Sequence, residues 1–380
     1  MRTLFEPTSL FERLPRTSSR ASRRGLRLSH VGLLLAMLWA MRVGGSALAA
    51  KPELEAIVPP AVDSPGMGAF APRTIEAERV VDTQGARLTG ATVHRNVDPV
   101  VSCLAISADG SQLLATGDDH MTRLWRLPEL ALTSVVDNHT DWVRAGAFRP
   151  DGRLLATAGD DRRIRLWRLP DARLPELLAD EVTGVNALRF SPDGRLLAVA
   201  GFEPKVRVYD ADSGATLLEL RTTDGEVLDV AFSSDGRELA AAGRGGEVHV
   251  WRTDNGQQLH QLEADGRRIR AIEYSPDGRT LATGGDGRAV HLWDAQSGAL
   301  RATLPPRDGR VTSLCFCGPG RLAVGRSTNA LELWDTNGAE PIATLPGHTG
   351  SVVALGYNPR SGKLVSTGYD AKLRVWPLGE

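Results

Sequence analysis

The 380-residue sequence has only three cysteines and no apolar stretch long enough for a membrane-spanning helix. Cys103, Cys315 and Cys317 are an odd number, and the last two lie two positions apart on one predicted strand, which is poor geometry for a disulfide. A C-x-C spacing without a second Cys or His pair is equally poor for zinc. We therefore expect three small buried thiols, with neither a disulfide framework nor a metal centre.

The sequence also lacks a strong charge of either sign and the motifs of common enzyme classes. The formal net charge is −1, and it becomes −7 without the first fifty residues, because the remainder holds 37 basic and 44 acidic residues. That balance argues against a phosphate-binding surface and a nucleic-acid partner. There is no P-loop, Gly-rich dinucleotide fingerprint, HExxH or CxxCH motif, so we predict no cofactor.

A repeat of about 42 residues dominates the rest of the sequence. Residues 139–167 contain the apolar runs VRAGAF and LLATAG around the turn RPDG, then a third run, IRLW, that ends on a Trp. Pro-Asp and Asp-Gly favour tight turns, and the alternation before the Trp is typical of a strand. The closing aromatic recurs at intervals of 41 or 42 residues, at Trp125, Trp167, Tyr209, Trp251, Trp293, Trp334 and Trp376. A fixed period of this length indicates a repeat architecture.

These repeats resemble the WD40 family, whose units have this period and supply four strands to each propeller blade. Trp-Asp dipeptides stand at Trp293-Asp294 and Trp334-Asp335, and a Gly-His dipeptide at Gly347-His348. The resemblance covers residues 86–380 and implies an all-β, seven-bladed propeller. Only four residues follow Trp376, so the last unit lacks its fourth strand. We expect an N-terminal strand at residues 86–93, which resembles the other outer strands, to complete the last blade and close the ring.

The first fifty residues have the composition of an export signal. They contain an Arg-rich region, an apolar run from Val31 to Met41 and the Ala-rich end Ser46–Ala50, the three parts of a signal peptide. Ser22-Arg23-Arg24 resembles the start of a bacterial twin-arginine signal, while Arg27 departs from that pattern and leaves Sec export open. We expect residues 1–50 to be a signal peptide or membrane anchor.

Two outcomes follow for the location of the propeller. Cleavage after the Ala-rich end would release it as an exported protein, periplasmic or extracellular. Arg42 is unusual so close to a cleavage site, and an uncleaved anchor would use residues 31–50 to tether the propeller to the cytoplasmic membrane. Residues 51–85 contain five prolines and are expected to form an extended linker.

The resemblance also implies a structural tetrad that joins a His, a Ser or Thr, an Asp and the closing Trp. Two blades match it throughout: His139, Thr157, Asp161 and Trp167 in blade two, and His348, Ser366, Asp370 and Trp376 in blade seven. Blade one lacks the hydroxyl and blades three to six lack the His, so we expect the network to be lost there. A His-Ser/Thr-Asp set also suggests a hydrolase, but this relay would end on a buried indole and occurs twice. We interpret it as structural and predict no catalytic residue and no enzyme activity.

His249 and His291 occupy equivalent positions in neighbouring blades and are the nearest approach to a metal pair. The other members of that column are polar, and we expect them to form a partly solvated strand face: Arg123, Arg165, Arg207, Glu332 and Arg374. No third ligand is evident, so we predict no metal site.

By resemblance, the loops that enter each blade and the turns between second and third strands gather on one face around the central channel. Trp142 is the only aromatic immediately before a first strand, and a Trp among charged residues is typical of a binding hot spot. Its alternative is a ring folded onto neighbouring loops, and for the arginines a solvated surface. The candidate partner-binding face consists of Trp142, Arg144, Arg162, Arg163, Glu226, Arg267, Arg268, Arg270 and Arg310.

We predict a monomeric, non-catalytic interaction platform outside the cytoplasm that binds a protein or peptide on this face. One alternative is an exported propeller enzyme or sugar-binding module with a central-channel site. That would require converging carboxylates, His or aromatics on the channel-facing loops, and the sequence offers only Trp142, Glu226 and Arg residues there. The other alternative is a membrane-tethered sensor with the propeller as its receptor domain.

Overall fold

The computed structural model describes residues 72–83, 100–137, 139–170, 175–180, 183–223 and 225–379. They lie within a compact unit that extends from Gly68 to Glu380. All regular structure in these ranges is β, and none of these residues belongs to a helix that is long and apolar enough to span a bilayer. The strands form seven sheets of four or five strands, the blades of the propeller.

Two short strands, β1 (Arg73–Thr74) and β2 (Arg79–Asp82), precede the repeats. Blade one consists of β3 (Val101–Ile106), β4 (Gln112–Gly117), β5 (Met121–Arg126) and β6 (Ala131–Asp137). Blade two consists of β7 (Val143–Phe148), β8 (Leu154–Gly159), β9 (Arg163–Arg168) and β10 (Glu176–Asp180). Blade three consists of β11 (Val185–Phe190), β12 (Leu196–Gly201), β13 (Lys205–Asp210) and β14 (Thr216–Arg221).

Blade four consists of β15 (Val227–Phe232), β16 (Glu238–Gly243), β17 (Glu247–Arg252) and β18 (Gln258–Glu263). Blade five consists of β19 (Ile269–Tyr274), β20 (Thr280–Gly285), β21 (Val290–Asp294) and β22 (Leu300–Leu304). Blade six consists of β23 (Val311–Phe316), β24 (Arg321–Arg326), β25 (Leu331–Asp335) and β26 (Glu340–Thr344). Blade seven consists of β27 (Val352–Asn358), β28 (Lys363–Gly368) and β29 (Lys372–Pro377). The predicted seven-bladed fold is confirmed.

In blades one, three, four and five, the four-residue turn is fixed by its Ser and Asp. In the SPDG turn of blade three, the Ser191 hydroxyl donates to the Asp193 carboxylate (2.6 Å) and accepts from the Leu196 N–H (2.9 Å). Gly194 follows with a φ of +74°, a conformation that costs glycine little. The turn therefore joins the first and second strands because its side chains satisfy the backbone groups that the turn frees.

A β-bulge recurs at one position in all seven blades. The pairing between first and second strands shifts register after the first residue of the innermost strand, as between Val143 and Ala145 in blade two. A bulge bends the strand and leaves one residue outside the ladder. Here that residue is the second of each innermost strand, and in every blade it lines the mouth of the central channel.

An N-terminal strand completes the last blade, so the predicted closure is confirmed, but the predicted segment is wrong. Strand β2 pairs antiparallel with β29, and β1 pairs parallel with β26 of blade six. Residues 86–93 lie outside the described residues. The predicted linker, residues 51–85, is also too long, because residues 73–82 belong to the propeller. All five prolines of residues 51–85 lie at or before Pro72, and residues 73–83 contain none.

The core lies between neighbouring blades. One apolar cluster joins Leu114 and Leu124 of blade one to Phe148, Leu155 and Trp167 of blade two, and the other blade pairs repeat this arrangement. The closing aromatics are buried in every blade. No single blade buries both of its faces, so the ring is stable only when neighbours stack.

Candidate functional site

The four tetrad residues of blade two are joined by hydrogen bonds. The Trp167 indole N–H donates to Thr157 Oγ1 (2.8 Å), which lies 2.8 Å from His139 Nε2. His139 Nδ1 lies 3.0 Å from an oxygen of Asp161. Blade seven repeats the arrangement.

In blade seven, the Trp376 indole N–H donates to Ser366 Oγ (2.8 Å), which lies 2.7 Å from His348 Nε2. His348 Nδ1 lies 3.0 Å from Asp370. In both blades the hydroxyl accepts from the indole and lies within hydrogen-bond distance of Nε2, while Nδ1 faces both the carboxylate and an arginine Nη1 at 2.8 Å. Each chain of bonds is complete with a neutral histidine.

Burial controls the ionisation of both networks. It lowers the pKa of His139 and of His348, because the charged imidazolium is poorly solvated there. Burial would raise the pKa of Asp161 and Asp370, but hydrogen bonds and charge from the neighbouring His and Arg outweigh it and lower both values. The result is a neutral histidine beside an ionised aspartate. Thr157 and Ser366 are fully buried, so neither hydroxyl can meet a substrate.

The prediction of a partly solvated column beside the tetrads is wrong for five of its seven members, whereas Arg207 and His291 are partly exposed. Arg165 donates to Asp161 (2.6 Å), Arg374 donates to Asp370 (2.7 Å), and both arginines are buried. Arg123, His249 and Glu332 of the same column are buried as well. These charges are paired within their own blades, as Arg123 is with Asp119 and Glu332 with Arg326.

Two blades without the tetrad histidine replace the network instead of losing it. In blade four, His249 of the third strand lies 3.1 Å from Thr223 Oγ1 and stacks on Trp251 with 5.6 Å between ring centroids. In blade six, the Trp334 indole N–H donates to Glu332 (3.2 Å), which also accepts from Arg326 (3.0 Å). The indole N–H thus keeps a partner in blade six, although the partner is now a carboxylate.

The histidine pair and the cysteines do not form metal sites in the described parts of the chain. His291 lies against the Trp293 ring of its own blade, as His249 does with Trp251. In the same ranges, no group of three or more His, Cys, Asp or Glu side chains is placed to hold a metal ion. All three cysteines are free thiols.

Trp142 lies at the channel mouth and takes part in a stack with Arg144 and Phe202. The Arg144 guanidinium lies 5.0 Å from the Trp142 ring centroid and 5.7 Å from that of Phe202. Asp160 accepts two hydrogen bonds from Arg144, at 2.6 and 2.8 Å. Trp142 remains 38% exposed and Phe202 45% exposed. We call these four residues the aromatic–arginine cluster.

The other predicted face residues divide into two groups. Arg270 and Arg310 approach Asp286, at 2.6 and 4.0 Å, and line the channel mouth with Trp142 and Arg144. The remaining five do not line it: Arg162, Arg163, Glu226, Arg267 and Arg268. Four of the nine predicted face residues therefore lie at the channel mouth, and the other five lie outside its lining.

Sequence reasoning missed two exposed aromatics on this face, Phe202 and Tyr369. Each follows the glycine that ends a second strand, where blades one, two and five have an Asp. Tyr369 is 60% exposed and lines the channel mouth in blade seven. Comparing that turn position across the repeats would have found both residues.

Family comparisons agree with this architecture. The model described as "WD domain, G-beta repeat" matches residues 89–126, 131–168 and 339–377. The model described as "Anaphase-promoting complex subunit 4 WD40 domain" matches residues 150–235 and 237–314. A search of curated proteins gives no match. The repeats, the tetrads and the closed ring together identify the chain as a seven-bladed β-propeller built from WD40 repeats.

Proposed function

We propose that this propeller is a non-catalytic platform that binds a protein or peptide partner at the channel mouth, through the aromatic–arginine cluster. The observation that carries the proposal is the Trp142–Arg144–Phe202 stack. It presents two exposed aromatic rings around a guanidinium, and Trp and Arg are the residue types most enriched in interface hot spots.

The cluster is held in place before any partner arrives. Asp160 fixes the Arg144 guanidinium through two hydrogen bonds, and the two rings pack on its faces. A side chain that is already ordered loses little entropy on binding. Aromatic rings bury a large apolar area for the few rotamers that they give up. A pre-ordered cluster with exposed aromatic rings is therefore better suited to binding a protein or peptide than to remaining a solvated loop.

The test is affinity capture with Trp142→Ala and Phe202→Ala beside the wild-type chain. A matched control is Leu300→Ala, which removes an even more exposed apolar side chain (51%) from the outer strand of blade five. We expect both cluster variants to lose the captured partner and the control to keep it. Identical captured sets from all four proteins would refute the proposed face.

We further propose that the platform acts outside the cytoplasm. The Arg-rich, apolar and Ala-rich order of residues 1–50 supports export, and the absence of disulfides among the three thiols means that the fold needs no oxidising step. N-terminal sequencing of protein from cell fractions tests this. A mature terminus after Ala49 or Ala50, or an intact chain in the membrane fraction, is expected. An intact chain in the cytosol would contradict it.

A further inference from the structure

The wall of the central channel departs from the repeat at three neighbouring blades. The third residue of every innermost strand lines a cavity of about 420 Å³, and in six blades it is Ala, Ser or Cys. In blade four it is Asp229. The fifth residue is Ala, Cys or Gly except in blades three and five, where it is Arg189 and Glu273. Arg189, Asp229 and Glu273 thus occupy strand positions that hold small residues in the other blades.

These three residues, which we call the channel triad, form one cluster. Arg189 Nη2 lies 3.4 Å from Asp229 Oδ1, and Arg189 Nη1 donates to the Leu188 carbonyl (3.1 Å). Asp229 Oδ2 accepts from the Ile272 N–H (3.1 Å), and Glu273 Oε2 accepts from the Phe316 N–H (3.2 Å). The carboxyl groups therefore join each blade to the innermost strand of the next.

This joining role does not require charge. At other blade junctions, uncharged side chains bind the backbone of the next blade's innermost strand. Ser102 donates to the Val143 carbonyl, Asn186 to the Val227 carbonyl and Thr312 to the Val352 carbonyl. A Gln at position 273 would accept from Phe316 equally well. An ionised group inside a ring costs free energy that an amide avoids, so the charge of the channel triad calls for a second explanation.

The environment of the channel triad favours a ligand that carries both signs of charge. Burial raises the pKa of Asp229, and it raises the pKa of Glu273 to about 8, so a bound ammonium group is needed to stabilise the ionised form of these carboxyls. Arg189 keeps 45% of its side chain open to the channel, and its guanidinium has five N–H donors, most of them unused. A lone cation would be repelled by Arg189, and a lone anion by Asp229.

We propose that the central channel binds a small zwitterion of the α-amino-acid type, with its carboxylate on Arg189 and its ammonium group on Asp229 and Glu273. Both pairs are charge-assisted hydrogen bonds, the stronger class. The cavity volume of about 420 Å³ lies within the range of small-molecule sites. This site lies below the mouth and does not depend on the proposed protein partner.

The test is isothermal titration calorimetry of the full chain with the twenty standard L-α-amino acids. Methylammonium chloride and sodium acetate serve as probes with one charge each. We expect saturable binding of at least one amino acid, at least about tenfold tighter than either single-charge probe, because each probe can form only one of the two ion pairs. No binding by any amino acid, or equal binding of methylammonium or acetate, would overturn the proposal.

Variants locate the site. Glu273→Gln and Arg189→Gln should each weaken binding by about tenfold or more, because each removes one charge-assisted pair. Ala354→Leu on the opposite wall should block the channel with all three side chains of the channel triad in place. Arg237→Gln changes an exposed arginine in a distant turn and should bind as the wild type does. Wild-type affinity in all three channel variants would place the ligand elsewhere and refute the proposal.

A folding control accompanies these measurements. The Gln in Glu273→Gln still accepts from the Phe316 N–H and removes a carboxyl group whose ionisation is opposed by burial. We therefore expect its melting temperature at pH 8 to be at least that of the wild type. A cooperative transition shows that lost binding reflects the missing charge. If Arg189→Gln fails to fold, Glu273→Gln and Ala354→Leu still decide the proposal.

Discussion

At the scale of single residues, the tetrad hydroxyl is the centre of its network. Thr157 accepts from the Trp167 indole and lies 2.8 Å from His139 Nε2, so one small side chain satisfies two buried groups. The sequence could predict the four members, because their spacing is fixed by the repeat. It did not predict that Arg165 also binds the aspartate, because the alternation of the third strand does not show that this polar side chain is buried.

Two substitutions in blade two separate packing from hydrogen bonding. Trp167→Ala should reduce the free energy of unfolding by about 3–5 kcal/mol, because it opens a cavity in the core. Thr157→Ala should cost about 1–3 kcal/mol, because it leaves a buried indole N–H and an imidazole nitrogen without a partner. Urea denaturation measures both. Thr157→Ser keeps the hydroxyl and should lie closer to the wild type, whereas a greater loss for Thr157→Ala than for Trp167→Ala would contradict this ranking.

The tetrads also predict how stability depends on pH. The pKa values of His139 and His348 are lowered from 6.5 in the folded state, so below pH 6.5 the unfolded chain binds protons that the folded chain does not. Stability is therefore fully present above pH 6.5 and falls as the pH decreases, by at most about 1.4 kcal/mol per pH unit for each histidine. The lowered pKa values of Asp161 and Asp370 extend the loss below pH 3.8.

Chemical denaturation between pH 7 and pH 5 measures this dependence. The double variant His139→Gln, His348→Gln should be less stable at pH 7 but should lose less stability on acidification than the wild type. His260→Gln replaces a partly buried histidine outside the tetrads and provides the matched control. Equal slopes for the wild type and the double variant would show that the tetrad histidines do not titrate as described.

At the scale of structural elements, residues 72–83 act as a clasp across the last two blades. Strand β1 extends blade six and β2 completes blade seven. Between them, Ile75 is buried, and the Glu78 carboxylate lies 2.6 Å from Lys363 Nζ. The sequence predicted that an N-terminal strand was needed, since the seventh repeat lacks one. It did not locate the strand, because several segments share the short alternating pattern, and β1 is too short to recognise.

Removing the clasp should expose two sheet edges. A chain that begins at Gln84 should melt well below the wild type or aggregate, because β26 and β29 would present unpaired backbone groups. A chain that begins at Gly68 retains the clasp and is the control. Thermal unfolding and size-exclusion chromatography distinguish the two. An unchanged melting temperature together with a monodisperse profile for the shorter chain would rule out closure by this clasp.

At the scale of the whole molecule, the repeat accounts for the fold and its exceptions account for the candidate sites. The period, the turns and the closing aromatics predicted seven blades, because each imposes the same local geometry. Trp142 was identifiable as an exception at one position of the repeat. Phe202 was an exception at a turn position, which the same comparison of repeats would have found. The members of the channel triad were exceptions as well, but their significance depends on which strand positions face the channel. That direction follows from the bulge in each innermost strand, which sequence patterns do not reveal.

The shared architecture predicts that the ring unfolds as one unit. The second strand is buried along nearly its whole length in every blade, whether or not the blade carries a tetrad. Its apolar side chains pack on both neighbouring blades, so local opening would expose the core of three blades at once. Hydrogen exchange followed by mass spectrometry should therefore show similar protection, within about tenfold, for all seven second strands. Trp167→Ala should reduce protection around the ring. Rapid exchange confined to blades three to six would show that the tetrads stabilise only their own sector.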